Sequence, residues 1–257
     1  MKVVTWNLNS IRAREERLLS WLSRHDPDVV CLQETKVTDE QFPHEVLRER
    51  GYHAAVHGQR TYNGVAILSR EPIEDVRIGF GDGADDPQAR CICGVVQGIR
   101  FISVYVPNGS TVESDKYVYK REWLERLMPY LDKTHVPGTP LLISGDFNIA
   151  PDVADVAEPD EWRDTVLFNP DMTGVMTRLA DWGLRDVVRM HKPDPGLYSW
   201  WDYRQLAFPR NQGLRIDHIL ATPDLAARST SAGVDRDERK GSKPSDHAPV
   251  VAELDWP

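Results

Sequence analysis

The sequence has few cysteines, no long apolar run and no excess of positive charge. Only three of its 257 residues are cysteine (Cys31, Cys91 and Cys93), and no two of them form a CxxC pair. This usage favours buried thiols in a reduced, cytoplasmic protein over a disulfide framework. No apolar stretch approaches the length of a membrane span, and Asn7 and Asn9 interrupt the first residues too early for a signal peptide.

The net charge of −9 at pH 7 argues against a protein that coats nucleic acid through a broad basic field. It does not exclude a nuclease, because carboxylates that hold a divalent metal add negative charge and a local basic patch can still contact phosphates. Hydrophobic residues make up 40% of the chain and charged residues 28%, as in an ordinary globular protein. Since no internal repeat or low-complexity linker divides the sequence, we expect one domain over residues 1–257.

Short apolar runs that are rich in β-branched residues and bounded by Gly, Pro or Asp predict buried strands. Eight such runs occur, at 2–6, 28–34, 64–69, 91–96, 100–106, 140–146, 215–221 and 248–254. Apolar residues at helical spacing predict three helices, at 14–25, 115–133 and 171–184. We expect Pro129 to kink or split the second helix and Gly183 to cap the third.

Strands and helices are intermixed without a strict βαβ alternation. The runs at 91–96 and 100–106 are joined by too few residues for a crossover helix, so they are expected to pair antiparallel. The pattern predicts an α/β (α+β) fold: a four-layered α/β sandwich in which two packed mixed β-sheets are flanked by helices, in a single domain. The acidic stretch 151–170 is interpreted as a long surface excursion.

Polar residues stand where the predicted strands end, and functional residues often lie at such positions. Taken singly, each has a structural explanation, for example Asn7 as a helix cap. Asp217 is harder to explain in that way, because a carboxylate inside an apolar strand must be paired if it is buried. Together the polar residues form an oxygen-rich set that suits Mg²⁺ or Mn²⁺ rather than zinc. The set comprises Asn7, Glu34, Tyr105, Asp146, Asn148, Asp217, Asp246 and His247.

Eight short motifs match a known family in order and spacing: "WNLNSIR", "QETK", "NGVAILSR", "YVPNG", "GDFNIAP", "WWDYR", "GLRIDHIL" and "PSDHAPV". They resemble the exonuclease III family of abasic-site endonucleases, within the wider endonuclease/exonuclease/phosphatase superfamily. "YVPNG", "WWDYR" and "GLRID" point to the DNA-repair branch of that superfamily. The resemblance implies Mg²⁺-dependent hydrolysis of phosphodiesters 5′ to abasic sites, with 3′–5′ exonuclease and 3′-phosphatase activity on duplex DNA.

The resemblance also implies a metal site. Glu34 would be the principal ligand, Asn7 would support it with a neutral oxygen, and Asp246 would face the metal. Mg²⁺ takes hard oxygen ligands and keeps several waters, and Mn²⁺ can substitute for it. One or two ions are compatible with this set of residues. The implied metal-site residues are Asn7, Glu34, Asp146, Asn148, Asp246 and His247.

The same resemblance assigns catalytic roles. Asp146 would activate the attacking water, while Asn148 would fix the geometry and donate to the phosphate. Asp217 would pair with His247, and such a partner favours an imidazolium that neutralises charge at the scissile phosphate. Tyr105 would hydrogen-bond a phosphate oxygen.

A further set of residues would bind DNA. Trp200, Leu214 and Ile216 match the family's apolar pocket for a deoxyribose without its base, whereas Trp201 is expected in the core. Duplex DNA with abasic sites or blocked 3′ ends is the implied partner of a monomeric enzyme that does not bind membranes. The implied DNA-binding residues are Lys36, Asn108, Trp200, Arg204, Leu214, Arg215 and Ile216, and Arg210, Lys240 and Lys243 are weaker candidates for phosphate contacts.

Two other functions remain open on the sequence alone. Another phosphoesterase of the superfamily, such as a phosphoinositide or nucleotide phosphatase, would keep the catalytic set but would not need the apolar pocket. A non-catalytic DNA-binding module would not need the complete set of acids that is present here. Comparing abasic duplex DNA with soluble phosphate esters separates the first alternative, and binding without cleavage would identify the second.

Overall fold

The computed structural model describes residues 1–257 and contains twelve strands. In chain order they are β1 (Lys2–Asn7), β2 (Val29–Gln33), β3 (His53–His57), β4 (Val65–Ser69), β5 (Glu74–Ile78), β6 (Cys91–Val96), β7 (Ile99–Tyr105), β8 (Leu141–Asp146), β9 (Arg185–Asp186), β10 (Asp217–Ala221), β11 (Ser229–Val234) and β12 (Val250–Leu254). The helices are α1 (Ile11–His25), α2 (His44–Arg48), α3 (Asp115–Thr134), α4 (Pro159–Trp162), α5 (Pro170–Trp182), α6 (Val187–His191) and α7 (Pro223–Ala226), with short 3₁₀ turns at Asp39–Gln41, Val153–Asp155 and Arg236–Arg239.

The strands form two mixed six-stranded sheets. The first has the order β11-β12-β1-β2-β4-β3 and the second the order β5-β6-β7-β8-β10-β9. The pairs β1–β2 and β7–β8 are parallel, and the other pairs are antiparallel. The predicted antiparallel pairing of 91–96 with 100–106 is therefore confirmed by β6 and β7.

Three hydrophobic clusters separate four layers, as predicted. One lies between the two sheets, and the other two lie between each sheet and its helices. Strand β1 shows how the sequence builds this arrangement: Val3 belongs to the cluster between the sheets, whereas Val4 and Trp6 belong to the cluster beneath α1. Because such a strand is covered on both faces, it appears in the sequence as a continuous apolar run.

The three predicted helices are present, with one correction. Helix α5 ends at Gly183, whose φ of 122° is readily adopted by glycine, so the predicted cap is confirmed. Helix α3 runs unbroken through Pro129, so the prediction that this proline splits the helix is wrong. Pro129 removes one backbone hydrogen bond close to the end of the helix. The buried Leu127 and Leu131 on either side of it pack in the core beneath the second sheet.

Four strands were not predicted, and all four lie at sheet edges: β3, β5, β11 and β9. An edge strand is paired on one side only, and β5 is exposed at every residue, so it contains no apolar run. The fourth, β9, is only two residues long. All three cysteines are buried free thiols, as expected. No helix is both long and apolar enough to cross a membrane.

The stretch 151–170 is more than a surface excursion. It carries α4 and a 3₁₀ turn, and Asp155, Val166 and Leu167 within it are buried. Val166 and Leu167 pack in the cluster between the second sheet and its helices. The interpretation of this stretch as a surface excursion was wrong. It rested on the acidic composition of the whole stretch and overlooked the few buried residues that anchor it to the core.

Candidate active site

Strand register brings the polar set to one edge of the sandwich. In the first sheet the parallel strands β1 and β2 end side by side at Asn7 and Gln33, and Glu34 follows directly. In the second sheet Tyr105 and Asp146 are paired at the ends of β7 and β8, and Asp217 is opposite Asp146 in the antiparallel β10. Since both sheets present these ends at the same edge, their side chains meet between the layers.

Asn7 bridges the two sheets. Its Nδ2 donates to Glu34 Oε1 at 2.8 Å and to Asp146 Oδ2 at 2.9 Å, so the two carboxylates share one amide. Its Oδ1 accepts from the backbone N–H of Asn9 at 2.9 Å, which fixes the orientation of the amide. In this structure the nitrogen of Asn7 points at the two carboxylates, and the metal-supporting role of its oxygen stays a prediction.

Glu34, Asp146 and His247 could hold a divalent cation. One ligand atom from each of the three lies within 4.8 Å of the others. Two of the three donors are carboxylates, which suit a hard cation such as Mg²⁺. Lys36 contacts the same cluster, with its Nζ 2.7 Å from Glu34 Oε2 and 2.5 Å from Asn9 Oδ1. In this structure its ammonium compensates the charge of Glu34.

His247 is paired with Asp217, as the resemblance implied. Its Nδ1 lies 2.9 Å and 3.1 Å from the two carboxylate oxygens of Asp217, and its Nε2 lies 3.6 Å from Asp146 Oδ2. Ser199 Oγ donates a further hydrogen bond of 2.6 Å to Asp217 Oδ2. Both members of the pair are buried. The imidazole is thus oriented by one carboxylate and directed at another.

Burial and neighbouring charge shift the pKa values of this pair in a consistent direction. Burial opposes the charged form of His247, but the carboxylates of Asp217, Asp146 and Asp246 outweigh it and raise its pKa to about 10. Burial also raises the pKa of Asp146 to about 7; His247 lowers it and Asp217 raises it. An imidazolium therefore faces a carboxyl group that can exchange a proton near neutrality.

Asp246 lies outside the three-residue cluster. Its Oδ2 accepts from Trp200 Nε1 and its Oδ1 from Asn9 Nδ2, each at 3.0 Å. Burial alone would raise its pKa, but the charge of His247 and these hydrogen bonds lower it. Trp200 and Asn9 thus satisfy Asp246 in this structure, and its contact with the metal or its waters stays a prediction.

The remaining catalytic candidates also gather at this edge. Asn148 has a φ of 49°, and its backbone N–H donates to Asp146 Oδ1 at 2.9 Å. Its side chain donates to Val106 O at 2.9 Å and accepts from Asn108 Nδ2 at 3.0 Å, so both ends of the amide are held. Burial, and the nearby charge of Glu34, raise the pKa of Tyr105 well above its usual value, so this phenol stays protonated and can donate.

Arg215 is not available to a phosphate. It is buried, with Nε 2.6 Å from Asp155 Oδ1 and Nη1 2.7 Å from Asp186 Oδ2 and 3.0 Å from His218 Nδ1. Burial would lower its pKa, but the two carboxylates more than offset this. The prediction that Arg215 binds DNA is therefore wrong for this structure: it anchors the 151–170 stretch beneath β10.

Arg215→Met is expected to destabilise the protein by about 3–5 kcal/mol, because it leaves Asp155 and Asp186 without their shared buried partner. Urea denaturation measures this loss. Arg204→Met, at an exposed residue, is the matched control and is expected to leave the midpoint unchanged. A variant of Arg215 that unfolds like the wild type but binds DNA more weakly would restore the original assignment.

The predicted apolar pocket is only partly open. Leu214 and Ile216 are buried in the core, so the expectation that they present a surface to a sugar is wrong for this structure. Trp200 is half-buried and packs edge-on against Trp162, with ring centroids 5.7 Å apart. Trp201 is fully buried, as predicted. Trp200 is thus the one member of the predicted pocket with exposed surface.

Two other predicted DNA-binding residues are exposed at or near the site. Asn108 is exposed beside Asn148, and Arg204 is exposed and held in two hydrogen bonds by Asp202, at 3.0 Å and 2.8 Å. The weaker candidates Arg210, Lys240 and Lys243 are also exposed. These positions leave the residues accessible to a phosphate.

Sequence reasoning missed a buried lysine beneath the site. Lys120 is fully buried in α3, and its Nζ donates to three backbone carbonyls. The signal was present in the sequence: Lys120 is in phase with the apolar stripe of Leu124, Leu127 and Leu131, so its side chain had to face the core. Ser199 and Asn9, which hold Asp217 and Asp246, gave no such signal.

Comparison with known proteins agrees with this geometry. Residues 4–247 match the Endonuclease/Exonuclease/phosphatase family. Exodeoxyribonuclease III of Haemophilus influenzae is 39% identical, over 99% of this chain and 100% of its own length. An AP endonuclease from Archaeoglobus fulgidus has a TM-score of 0.96 at 40% identity, and a 3′ phosphatase from Neisseria bound to product DNA hairpin has a TM-score of 0.97 at 41% identity; both alignments cover 100% of each chain. The chain therefore belongs to the Endonuclease/Exonuclease/phosphatase family.

Proposed function

We propose that this protein is a DNA-repair nuclease of the exonuclease III type, which hydrolyses phosphodiesters 5′ to abasic sites and removes nucleotides and phosphates from 3′ ends. The observation that carries the proposal is the position of Asp146. Its carboxylate is held by Asn7 and lies 3.6 Å from a His247 imidazole that Asp217 orients. Relatives of this chain that share 39–41% identity are an exodeoxyribonuclease, an AP endonuclease and a 3′ phosphatase.

The residues present fit a divalent cation, which we take to be Mg²⁺. Glu34 and Asp146 supply carboxylate oxygens within one cluster. A bound ion would supply charge neutralisation at the phosphate and at the leaving oxygen. His247 is part of the same cluster, but its Nδ1 is paired with Asp217 and its Nε2 is directed at Asp146. We therefore assign His247 to the phosphate.

In the hydrolysis Asp146 has a second task besides contacting the ion, and each other group has one task. Asp146 orients the attacking water and accepts its proton, which its pKa of about 7 allows at physiological pH. His247, held as a cation by Asp217, neutralises charge that develops on the phosphate. Tyr105 donates its phenolic hydrogen to a phosphate oxygen. Asn148 is held by Val106 and Asn108 at the same edge and contacts the phosphate.

DNA contacts are proposed for residues that surround this cluster. Lys36 contacts Glu34 in this structure, and it would be free to bind a phosphate if a cation neutralised that carboxylate. Asn108 and Arg204 are exposed, and Trp200 offers a half-buried indole against an extruded sugar. We propose that the protein acts as a monomer in the cytoplasm, where its three buried thiols remain reduced.

The test is a comparison of substrates in Mg²⁺. Labelled duplexes with an abasic site, a blunt end or a 3′-phosphate are compared with a soluble nucleotide and a phosphoinositide. The proposal predicts cleavage of the DNA substrates and turnover of the soluble esters that is lower by orders of magnitude. Efficient hydrolysis of a soluble ester with inert DNA would favour the other phosphoesterases of this family.

Trp200→Ala is expected to lower kcat/KM for abasic duplex about tenfold to a hundredfold, since burying a large apolar side chain contributes about 1.5–3 kcal/mol. Removal of a 3′-phosphate should fall less, because that reaction does not require an extruded sugar. Gel assays on both substrates measure the difference. Trp182→Ala, at a half-buried indole on α5, is the control. Equal losses on both substrates with lowered stability would identify Trp200 as an ordinary packing residue.

A further inference from the structure

Lys120 makes three contacts that join separate parts of the active-site edge. Its Nζ donates to Asn148 O at 2.7 Å, to Val166 O at 2.6 Å and to Asn108 O at 3.2 Å. Asn148 follows β8, Asn108 follows β7, and Val166 lies in the 151–170 stretch. One ammonium therefore ties two active-site loops and a third segment to helix α3.

The three contacts occupy all three N–H donors of the ammonium. A protonated lysine has three N–H donors and no acceptor, and here each donor has one carbonyl partner. All three partners are neutral carbonyl oxygens, and no carboxylate is among them. Burial disfavours the charged form and lowers the pKa of Lys120 to about 7, and the Asp146 carboxylate only partly offsets this. The three carbonyl partners favour the protonated form, which alone has three N–H donors, but an apolar residue would stabilise this position more simply. The charge at this position therefore calls for a reason other than packing.

The surrounding backbone is shaped to admit this side chain. Gly109 has a φ of 101°, and a Cβ built on it would lie 3.2 Å from Lys120 Cδ and 3.2 Å from Val166 Cβ. A larger residue at 109 would therefore press on the stem of the lysine and on the segment that it binds. The loop after β7 leaves room for Lys120 at the point where it carries Asn108 to the site.

We propose that Lys120 is a positioning residue that acts on the reaction through Asn148. The Asn148 carbonyl is fixed by Lys120, its backbone N–H by Asp146 Oδ1 at 2.9 Å, and its side chain by Asn108 and Val106. Asn108 is linked to Asn148 in two ways: its side chain donates to the Asn148 side chain, and its carbonyl accepts from the same Lys120 ammonium. Without the ammonium, three carbonyls lose their donor and both loops lose their common anchor.

This inference rests on the proposed nuclease function, because the test measures the cleavage of DNA. Lys120→Met keeps the length and apolar stem of the side chain and removes its donors. We expect kcat on abasic duplex to fall about tenfold to a hundredfold, since a displacement of about 1 Å can reduce turnover to that extent. KM should change less than kcat, because Lys120 contacts no substrate and affects DNA binding only through Asn108. Lys133→Met, exposed near the end of the same helix, is the matched control.

A double variant separates positioning from general support of the fold. If Lys120 acts through Asn148, then Lys120→Met combined with Asn148→Ala should have the kcat of Asn148→Ala alone. A loss in the double variant equal to the product of the two single losses, or a Lys120→Met enzyme with wild-type kcat, would overturn the proposal. If the wild type itself cleaves no DNA, the nuclease function fails instead, so the two failures are distinct.

A second substitution covers the case in which Lys120→Met does not fold. Lys120→Gln retains a neutral amide that can donate two hydrogen bonds. Lys120→Gln is expected to lower kcat less than Lys120→Met does. Combined with Asn148→Ala, it should lower kcat no further than Asn148→Ala alone. Wild-type kcat in a folded Lys120→Gln enzyme, or fully multiplicative losses, would contradict the proposal in the same way.

Discussion

Asp146→Asn is expected to lower kcat on duplex DNA about 10²–10⁴-fold, the range found when a general base is removed. The amide has the size of the carboxylate but cannot accept the proton of the attacking water. Asn7 Nδ2 and the Asn148 N–H now donate to the two oxygens of Asp146, and the variant's single amide oxygen can still accept from Asn7, so one hydrogen bond is lost. The fold should therefore survive. Single-turnover cleavage measures the rate, and a gel-shift assay measures DNA binding.

Binding of DNA by Asp146→Asn should be largely retained, since the substitution removes one negative charge near a phosphate. Asp181→Asn, at an exposed carboxylate on α5, is the control and should cleave at the wild-type rate. Near-normal turnover in Asp146→Asn would show that another group handles the water, and the assignment of the base would fail.

His247→Asn and Asp217→Asn are each expected to lower kcat severely, by about 10²-fold or more, because each disables the same cationic donor at the phosphate. Removing His247 leaves the buried Asp217 with Ser199 as its remaining side-chain partner. Removing the charge of Asp217 leaves the imidazole without the carboxylate that favours its protonated form. The double variant should be little worse than the worse single variant. Losses whose free energies simply add would mean that the two residues do not act as a pair.

The pH profile provides a second readout of the pair. Asp146 must be ionised, so activity should rise with pH through about 7; His247 must be protonated, so activity should fall as pH rises through about 10. The charge of Asp217 raises both pKa values. In Asp217→Asn both limbs of the profile should therefore move to lower pH. An unchanged profile in this variant would contradict the role given to Asp217.

The sequence predicted the layers because most strands are buried on both faces and thus leave continuous apolar runs. It missed edge strands such as β5, where exposed polar residues alternate with few apolar ones. It also predicted the Asp217–His247 pair, through the resemblance and through the cost of leaving Asp217 unpaired. The layers depend on composition within a few residues, which sequence reasoning can evaluate, whereas the partner of Asp217 lies 30 residues away and was found through the resemblance.

The errors came from contacts between distant parts of the chain. Arg215 was interpreted as a phosphate ligand, but its partner Asp155 lies 60 residues away and no local pattern links them. The Asn7 amide lies between Glu34, 27 residues away, and Asp146, 139 residues away, and Asp246 accepts from Trp200, 46 residues away. These pairings follow from the packing of the two sheets, so only the three-dimensional structure reveals them.

The most direct test of the central claim is cleavage of a duplex that carries a single abasic site, measured in Mg²⁺, then in excess EDTA, then with Mg²⁺ restored. If Glu34 and Asp146 hold a divalent cation beside His247, the strand is incised 5′ to the abasic site in Mg²⁺. EDTA should then abolish incision, and restored Mg²⁺ should recover it. Full incision in excess EDTA would contradict the metal site, and an intact duplex under all three conditions would contradict the nuclease function itself.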